Sequence, residues 1–383
     1  MKASLSEDQA RRLRLRAQRL GPERPSAGAG VADVAGVVRE VGGIQAQEPW
    51  AAVLAVRVRS TRRVVSDVER ARLEERSVVR TWAMRGTLHL VATEDLGWLL
   101  PVLGPVFIAA NRRRRAELGL DEATSARGVR MLQQVLAEDG PLTRAEIVER
   151  LGARGIRLEG QAAPHLLGYA ALQSVICLGP DRGSKPTYVL LSDWADRGDA
   201  KPRQAALGSL ARRYVGAYGP AGPDDLVAWS GLPAGEARAA WKSIADELLE
   251  VEASGRPAWM LKTRTAWLDD LSWPAARTPL VRLLPSFDTY LLGYRGRDLI
   301  VAPPYAKRIH PGGGILHPTL LVDGRAAGTW RSARRRGSLE VVVEPFDALP
   351  PDVHAGLDAE VADMGRFLGI ATTWSLAAPG KER

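Results

Sequence analysis

Leu142-Thr143-Arg144-Ala145-Glu146-Ile147-Val148-Glu149-Arg150-Leu151 is the stretch from which the fold can be read. Thr143 followed three residues later by Glu146 has the spacing of a capping box, which opens a helix running to Leu151. Upstream, Asp139-Gly140-Pro141 stops an earlier helix over 128–137. Downstream, 152–160 turns the chain into a third helix over 161–174, where Leu166, Leu167, Ala170 and Ala171 form one apolar stripe. Two strand-like runs follow, 175–178 and 187–191. Gly179-Pro180-Asp181-Arg182-Gly183-Ser184-Lys185-Pro186 separates them as a hairpin tip of turn formers and cations. Three helices and a basic hairpin make the pattern of a winged helix-turn-helix, whose third helix can enter a major groove.

The same pattern recurs on both sides. Helices over 204–217, from 222 and over 232–244 precede strand runs 248–252 and 258–261, a second candidate with a smaller wing. Helices over 6–20, 31–41 and 66–75 precede paired runs 77–82 and 87–91. Irregular spacing of one small unit indicates tandem duplication rather than a solenoid. From about Thr278 short strands take over: 280–284, 299–301, 319–322, 328–331 and 339–343, with Asp323-Gly324 as a tight-hairpin signal. These read as a small β-barrel or strongly bent sheet closed by a helix over 353–368. The expected class is α+β, in units 1–125, 126–200, 201–277 and 278–383.

A chain of 383 residues is long enough for several such units. A single cysteine, Cys177 in an apolar run, excludes a disulfide framework or multi-cysteine zinc site and reads as a small buried hydrophobe suited to a reducing cytoplasm. Neither a signal-peptide pattern nor an uninterrupted apolar stretch long enough for a bilayer is read, so no membrane partner is expected. The formal charge of +9 favours polyanionic partners, although Arg-rich, Ala-rich composition also follows genomic base bias.

Zinc motifs, P-loops and nucleophile elbows are absent from the sequence, and His89, His165, His310, His317 and His354 form no ligand cluster. No metal and no cofactor are expected. Two segments stand out: Gly42-Gly43-Ile44-Gln45-Ala46-Gln47-Glu48-Pro49-Trp50 and Arg80-Thr81-Trp82-Ala83-Met84-Arg85-Gly86-Thr87-Leu88-His89-Leu90. With the repeated winged helices and Leu321-Val322-Asp323-Gly324-Arg325-Ala326-Ala327-Gly328-Thr329-Trp330, they resemble the AlkZ-like and YcaQ-like DNA glycosylases over nearly the whole chain. Gln45-Ala46-Gln47 matches the Gln-apolar-Gln motif of the AlkZ-like branch, where the YcaQ-like branch has Gln-apolar-Asp. The resemblance implies three tandem winged helices with a C-terminal β-barrel around a basic concave surface. It also implies catalysis by Gln45 and Gln47 on alkylated or crosslinked guanines in double-stranded DNA.

Two amides suit that chemistry. An N7-alkylated purine is cationic and already a good leaving group, so its departure needs no general acid. Each glutamine offers a carbonyl oxygen to water or to the oxocarbenium-like sugar, and an NH₂ to a phosphate. A spacing of two places both on one face of an extended segment. Glu48 is the nearest carboxylate and a secondary candidate. No lysine lies in this segment to form a Schiff base, so water is the expected nucleophile. Expected DNA contacts are Arg80, Arg85 and Thr87, then Lys307, Arg308, His310 and His317 in a Gly-rich exposed hairpin, and Arg334, Arg335 and Arg336 in a turn. Plainer readings compete: a polar cap after the helix ending at Val41 for the glutamines, a solvated strand or turn for Arg80, Arg85 and Thr87, and a loop without contacts for 307–318. Trp82 reads as core, and Arg112-Arg113-Arg114-Arg115 as a solvated face. A monomer in the cytoplasm, associated with the nucleoid, is expected. The rival functions are a winged-helix regulator reading an operator and a catalytically silent relative that sequesters a genotoxin.

Overall fold

The computed structural model describes residues 3–22, 33–270 and 279–377, so the start of the helix expected over 31–41 lies outside the described residues. Helices and sheets mix throughout. The capping box holds: Thr143 N–H donates to Glu146 Oε2 at 2.8 Å, opening helix Arg144–Ala153. Helices Glu122–Asp139 and Ala162–Leu172 flank it, and strands Ile176–Arg182 and Lys185–Leu190 pair antiparallel behind them. The 128–137 expectation caught only the middle of its helix, because Asp121 caps the Thr124 N–H and starts it earlier.

Those two strands belong to a six-stranded sheet that crosses the expected unit boundary at 125. Its order is Ile44–Gln45, Leu88–Ala92, Val78–Trp82, Ile176–Arg182, Lys185–Leu190, Leu142–Thr143. The two halves join where Arg80 registers with Leu178. A three-stranded sheet sets Ala3–Leu5 parallel to Leu248–Ala253, itself antiparallel to Arg256–Leu261.

The C-terminal sheet runs Val281–Leu284, Thr319–Val322, Arg325–Arg335, Ser338–Pro345, Ala371–Leu376. It is an open half-barrel rather than a closed barrel. Helix Pro351–Leu368 lays Val353, Leu357, Val361 and Met364 into the core formed by Val281, Leu283, Leu320 and Val341, so the apolar face is covered without closure. The tight hairpin is present, with Asp323 at φ 48° and Gly324 at 79°, the left-handed pair such turns require. The strand expected over 299–301 is a turn instead, because Ile300 and Val301 N–H both donate back to Arg297 O. A strand over Ala371–Leu376, not expected, pairs parallel with Ser338–Pro345.

Two further helices escaped the sequence reading. Pro49–Arg57 starts directly after the glutamine segment. Leu96–Ala110 contains Pro101 and Pro105, which disguise it. With the preceding turn it forms an 18-residue run, Thr93–Ala110, apolar enough by length and composition to cross a membrane, against the expectation of none. Leu96, Trp98, Leu100, Val102 and Leu103 nevertheless sit in the main core. A Cβ on Gly104 would come 2.1 Å from Leu172 O, so this helix lies directly against Ala162–Leu172.

Buried ion pairs fasten helix Pro49–Arg57 to the C-terminal part. Arg57 Nη1 reaches Glu360 Oε2 at 2.8 Å and Arg59 bridges both Asp288 oxygens at 2.7 Å, all four side chains within 2% of full burial. Gln18 and Thr289 add hydrogen bonds at 3.1 Å to Arg59.

Candidate active site

The edge strand Ile44–Gln45 is placed by glycines. Gly42 and Gly43 take φ 77° and 90°, and a Cβ on Gly43 would lie 2.8 Å from Met84 Cε. Ile44 registers with Leu90 and Gln45 with His89, and Ala46 N–H donates to Leu88 O at 2.7 Å. Ile44, Ala46 and Leu90 share one core, so pleat alternation sends Gln45 and His89 to the opposite face. That face is polar. His89 is buried, its Nδ1–H donates to Thr87 O at 3.0 Å, and burial followed by the nearby Arg85 charge pushes its pKa down to about 3. Thr81, opposite His89, buries a hydroxyl without a protein partner among the described residues.

Gln45 is 7% exposed and accepts at Oε1 from Arg85 Nη2 at 2.7 Å. Arg85 sits at φ 55° in the turn between strands and donates its other nitrogen to Trp229 O at 2.6 Å. Burial lowers its pKa. Arg80 is buried too, its Nε donating to Ala46 O at 3.0 Å, so it braces the carbonyl between the two glutamines. Thr87 is half-buried and donates to Met84 O. Gln47 and Glu48, in the bend before helix Pro49–Arg57, are exposed. Glu48 Oε2 accepts from Ser286 Oγ at 2.6 Å.

That last bond carries the site onto the half-barrel. Leu284 registers with Thr319 and Thr319 with Thr329, so 285–286 and 317–318 leave one end of the sheet while the long strand runs on past them from Trp330 to Arg335. Trp330 ties them, its Nε1 donating to Leu284 O at 2.7 Å and its N–H to Pro318 O at 3.1 Å. The Arg334 guanidinium lies 5.3 Å from the Trp50 ring centroid, three residues beyond Gln47. Arg334, Arg335 and Arg336 are all exposed, but the expected turn holds only Arg336: Arg334 and Arg335 end the long strand, in register with Leu339 and Ser338, and Arg335 pairs with Glu340 at 2.9 Å.

The 307–318 stretch is only partly the exposed hairpin expected. It begins with a helical turn, Ala306–Ile309, and Ile309 and Leu316 are buried in the main core. The free part is a tip at 311–315, closed by a bridge between Gly312 and Ile315. Lys307 and His317 are exposed, and Arg308 pairs with Glu344 at 2.8 Å. His310 is half-buried, its Nε2 without a hydrogen-bond partner among the described residues. Burial and then Arg297 lower its pKa to about 4.

The family described as DNA glycosylase AlkZ-like matches residues 38–367, spanning this entire constellation. The chain belongs to the AlkZ-like DNA glycosylases. The interstrand DNA cross-link repair glycosylase of Streptomyces sahachiroi is 30% identical over 348 residues, 88% of this chain and 91% of that protein. The solved structure of the Streptomyces sahachiroi DNA glycosylase AlkZ matches with a TM-score of 0.78 at 28% identity, covering 98% of this chain and 100% of that one. The AlkZ-like chain is thus a hydrolase of DNA N-glycosyl bonds, and the regulator reading is not favoured. No role was legible in the sequence for Ser286, which reaches Glu48, or for Trp50, which ends the glutamine segment and lies under Arg334. Ser286 lies 238 residues from Glu48, and nothing local signals such a contact.

Proposed function

We propose that the chain is a monofunctional glycosylase using Gln45 and Gln47 to hydrolyse N7-alkylated, bulky or crosslinked purine nucleotides in duplex DNA. Water adds to C1′ of the sugar, the C1′–N9 bond breaks, and its electron pair neutralises the cationic base as it leaves. The water's proton passes to solvent, since an amide is too weak a base to keep it. The amides stabilise the oxocarbenium-like sugar and orient the water. The observation that carries this reading is the placement of Gln45, buried and held at its oxygen by Arg85, two residues before an exposed Gln47. A crosslinked or bulky adduct fits because the relative from Streptomyces sahachiroi is named for cross-link repair. Tandem winged helices, a single copy per duplex, and work at the cytoplasmic nucleoid belong to the same proposal. The exposed cations Lys307, Arg334 and Arg336 grip phosphates beside the lesion, with Arg308 and His317 at the same rim.

The test is incubation with duplex DNA carrying N7-methylguanine or an interstrand crosslink, scored for abasic sites. Wild-type protein produces them, and Gln45→Ala and Gln47→Ala lose most of the single-turnover rate while still binding DNA. Full rates in both variants would overturn the assignment.

A further inference from the structure

The two glutamines are alike in sequence but not in their surroundings. A guanidinium carries five N–H donors and no acceptor. The Gln45 atom 2.7 Å from Arg85 Nη2 is therefore the amide oxygen. Arg85 cannot easily turn away: its other nitrogen is spent on Trp229 O, its backbone is left-handed, and a Cβ on Gly231 would already be 3.0 Å from its Cα. With its oxygen drawn to a cation, Gln45 is a poor partner for a sugar that is itself becoming positive. Its NH₂ has no protein partner among the described residues and is a better donor for the polarisation. Gln47 has no hydrogen bond to any described residue, so its oxygen is free to turn toward the reaction.

From this we infer that Arg85 is a positioning residue that presents Gln45 donor-first, and that Gln47 is the acceptor of the pair. Gln45 donates to an oxygen of the substrate, and Gln47 faces the water and the developing sugar cation. The assignment rests on the proposed role of the two glutamines and divides it between them. It also moves Arg85 from a phosphate contact to the support of Gln45.

Glutamate substitutions separate the two roles, because they keep shape and acceptor oxygens while removing the donor. In single-turnover excision of N7-methylguanine from duplex DNA, Gln45→Glu should lose roughly a hundredfold, the size of a lost directed hydrogen bond in the transition state. Gln47→Glu should stay within about tenfold of wild type near neutral pH, on the same scale. Its rate should then fall as pH drops through the carboxylate range, an acid limb that wild type lacks. Equal losses, or a reversed order, overturn the division of roles even if both alanine variants are impaired. Alanine variants at wild-type rate would instead defeat the underlying glutamine assignment. For Arg85, the readout is a cycle with Gln45→Ala. Arg85→Met should slow excision in the wild-type background and add nothing in the Gln45→Ala background. Losses that multiply in the double variant would make Arg85 a mere prop and overturn its positioning role. The glutamate pair stays decisive if Arg85→Met does not fold.

Discussion

The glutamine segment and the half-barrel rim meet through the Glu48–Ser286 bond, yet they are built oppositely. Around Gln45, polar groups are buried and several are turned by a specific partner: Arg85 on its oxygen, Arg80 on the Ala46 carbonyl, Thr87 on the His89 ring. At the rim, Lys307 on a short helical turn, Arg334 near a strand end and Arg336 in the turn after it all stand in solvent. The first arrangement fixes direction, which chemistry at a bond requires; the second supplies charge that follows a bent or distorted duplex. A charge in water is cheap to keep and easy to screen, whereas a directed buried contact is worth more and fails if its frame moves.

Breaking the frame should have the largest effect. Arg59→Ala leaves Asp288 buried without its cation and should cost about 3–5 kcal/mol of folding stability, read from denaturant melts. Melting unchanged from wild type would mean that the clamp behind helix Pro49–Arg57 is not what holds the segment. Next comes chemistry without the frame. Gln47→Ala should slow single-turnover excision by about 3 kcal/mol, roughly a hundredfold, with little change in DNA affinity or melting. The rim should answer in the opposite way. Replacing Arg334, Arg335 and Arg336 together by alanine should weaken binding and reduce the salt slope by up to about 3. The rate at saturating protein should stay near wild type. A rim variant that lost rate but kept its salt slope would erase the contrast.

Acid pH tests the buried side most directly through His89, with the half-buried His310 ring adding to the same window. His89, with a pKa near 3 in the folded chain against an ordinary value of 6.5, binds its proton more readily when unfolded. Stability therefore falls as pH drops from about 6.5 toward 3. His89→Asn should flatten part of that slope in melts taken across the window. The smallest effect is expected at the tip. Swapping Gly312-Gly313-Gly314-Ile315 for a Gly-Ser turn should leave melting almost unmoved, yet slow excision of a crosslinked adduct more than of N7-methylguanine. Equal rates on both substrates would remove the tip from lesion recognition.

Much of the local structure was legible because its signals are local. Thr143 and Glu146 announce a cap, Asp323-Gly324 a hairpin, and the Leu166–Ala171 stripe a buried helix face. What escaped depended on distance or disguise. Two prolines hide the core helix Leu96–Ala110, and the open half-barrel is decided by where helix Pro351–Leu368 lands. In the site, the glutamine segment and its neighbouring arginines were visible as a motif. Their direction was not: Arg80 and Arg85 look like surface cations in sequence, and only packing against Ala46 and Trp229 turns them inward. Likewise, Ile309 and Leu316 flank a glycine run that reads as pure loop, although both are core residues.

Strand Ala3–Leu5 has a consequence for how the chain is made. Its partner is Leu248–Ala253, and Ser4 hydrogen-bonds Glu252 across a separation of 248 residues. A ribosome adding about 5–20 residues per second needs on the order of 10–50 seconds to supply that partner. During that interval the edge strand Ala3–Leu5 has neither the central strand nor the far edge of its sheet, and the first helix lacks one of its neighbours. The polypeptide therefore leaves the ribosome with an early segment in waiting, and whatever shields that segment during translation governs how much protein reaches the native state.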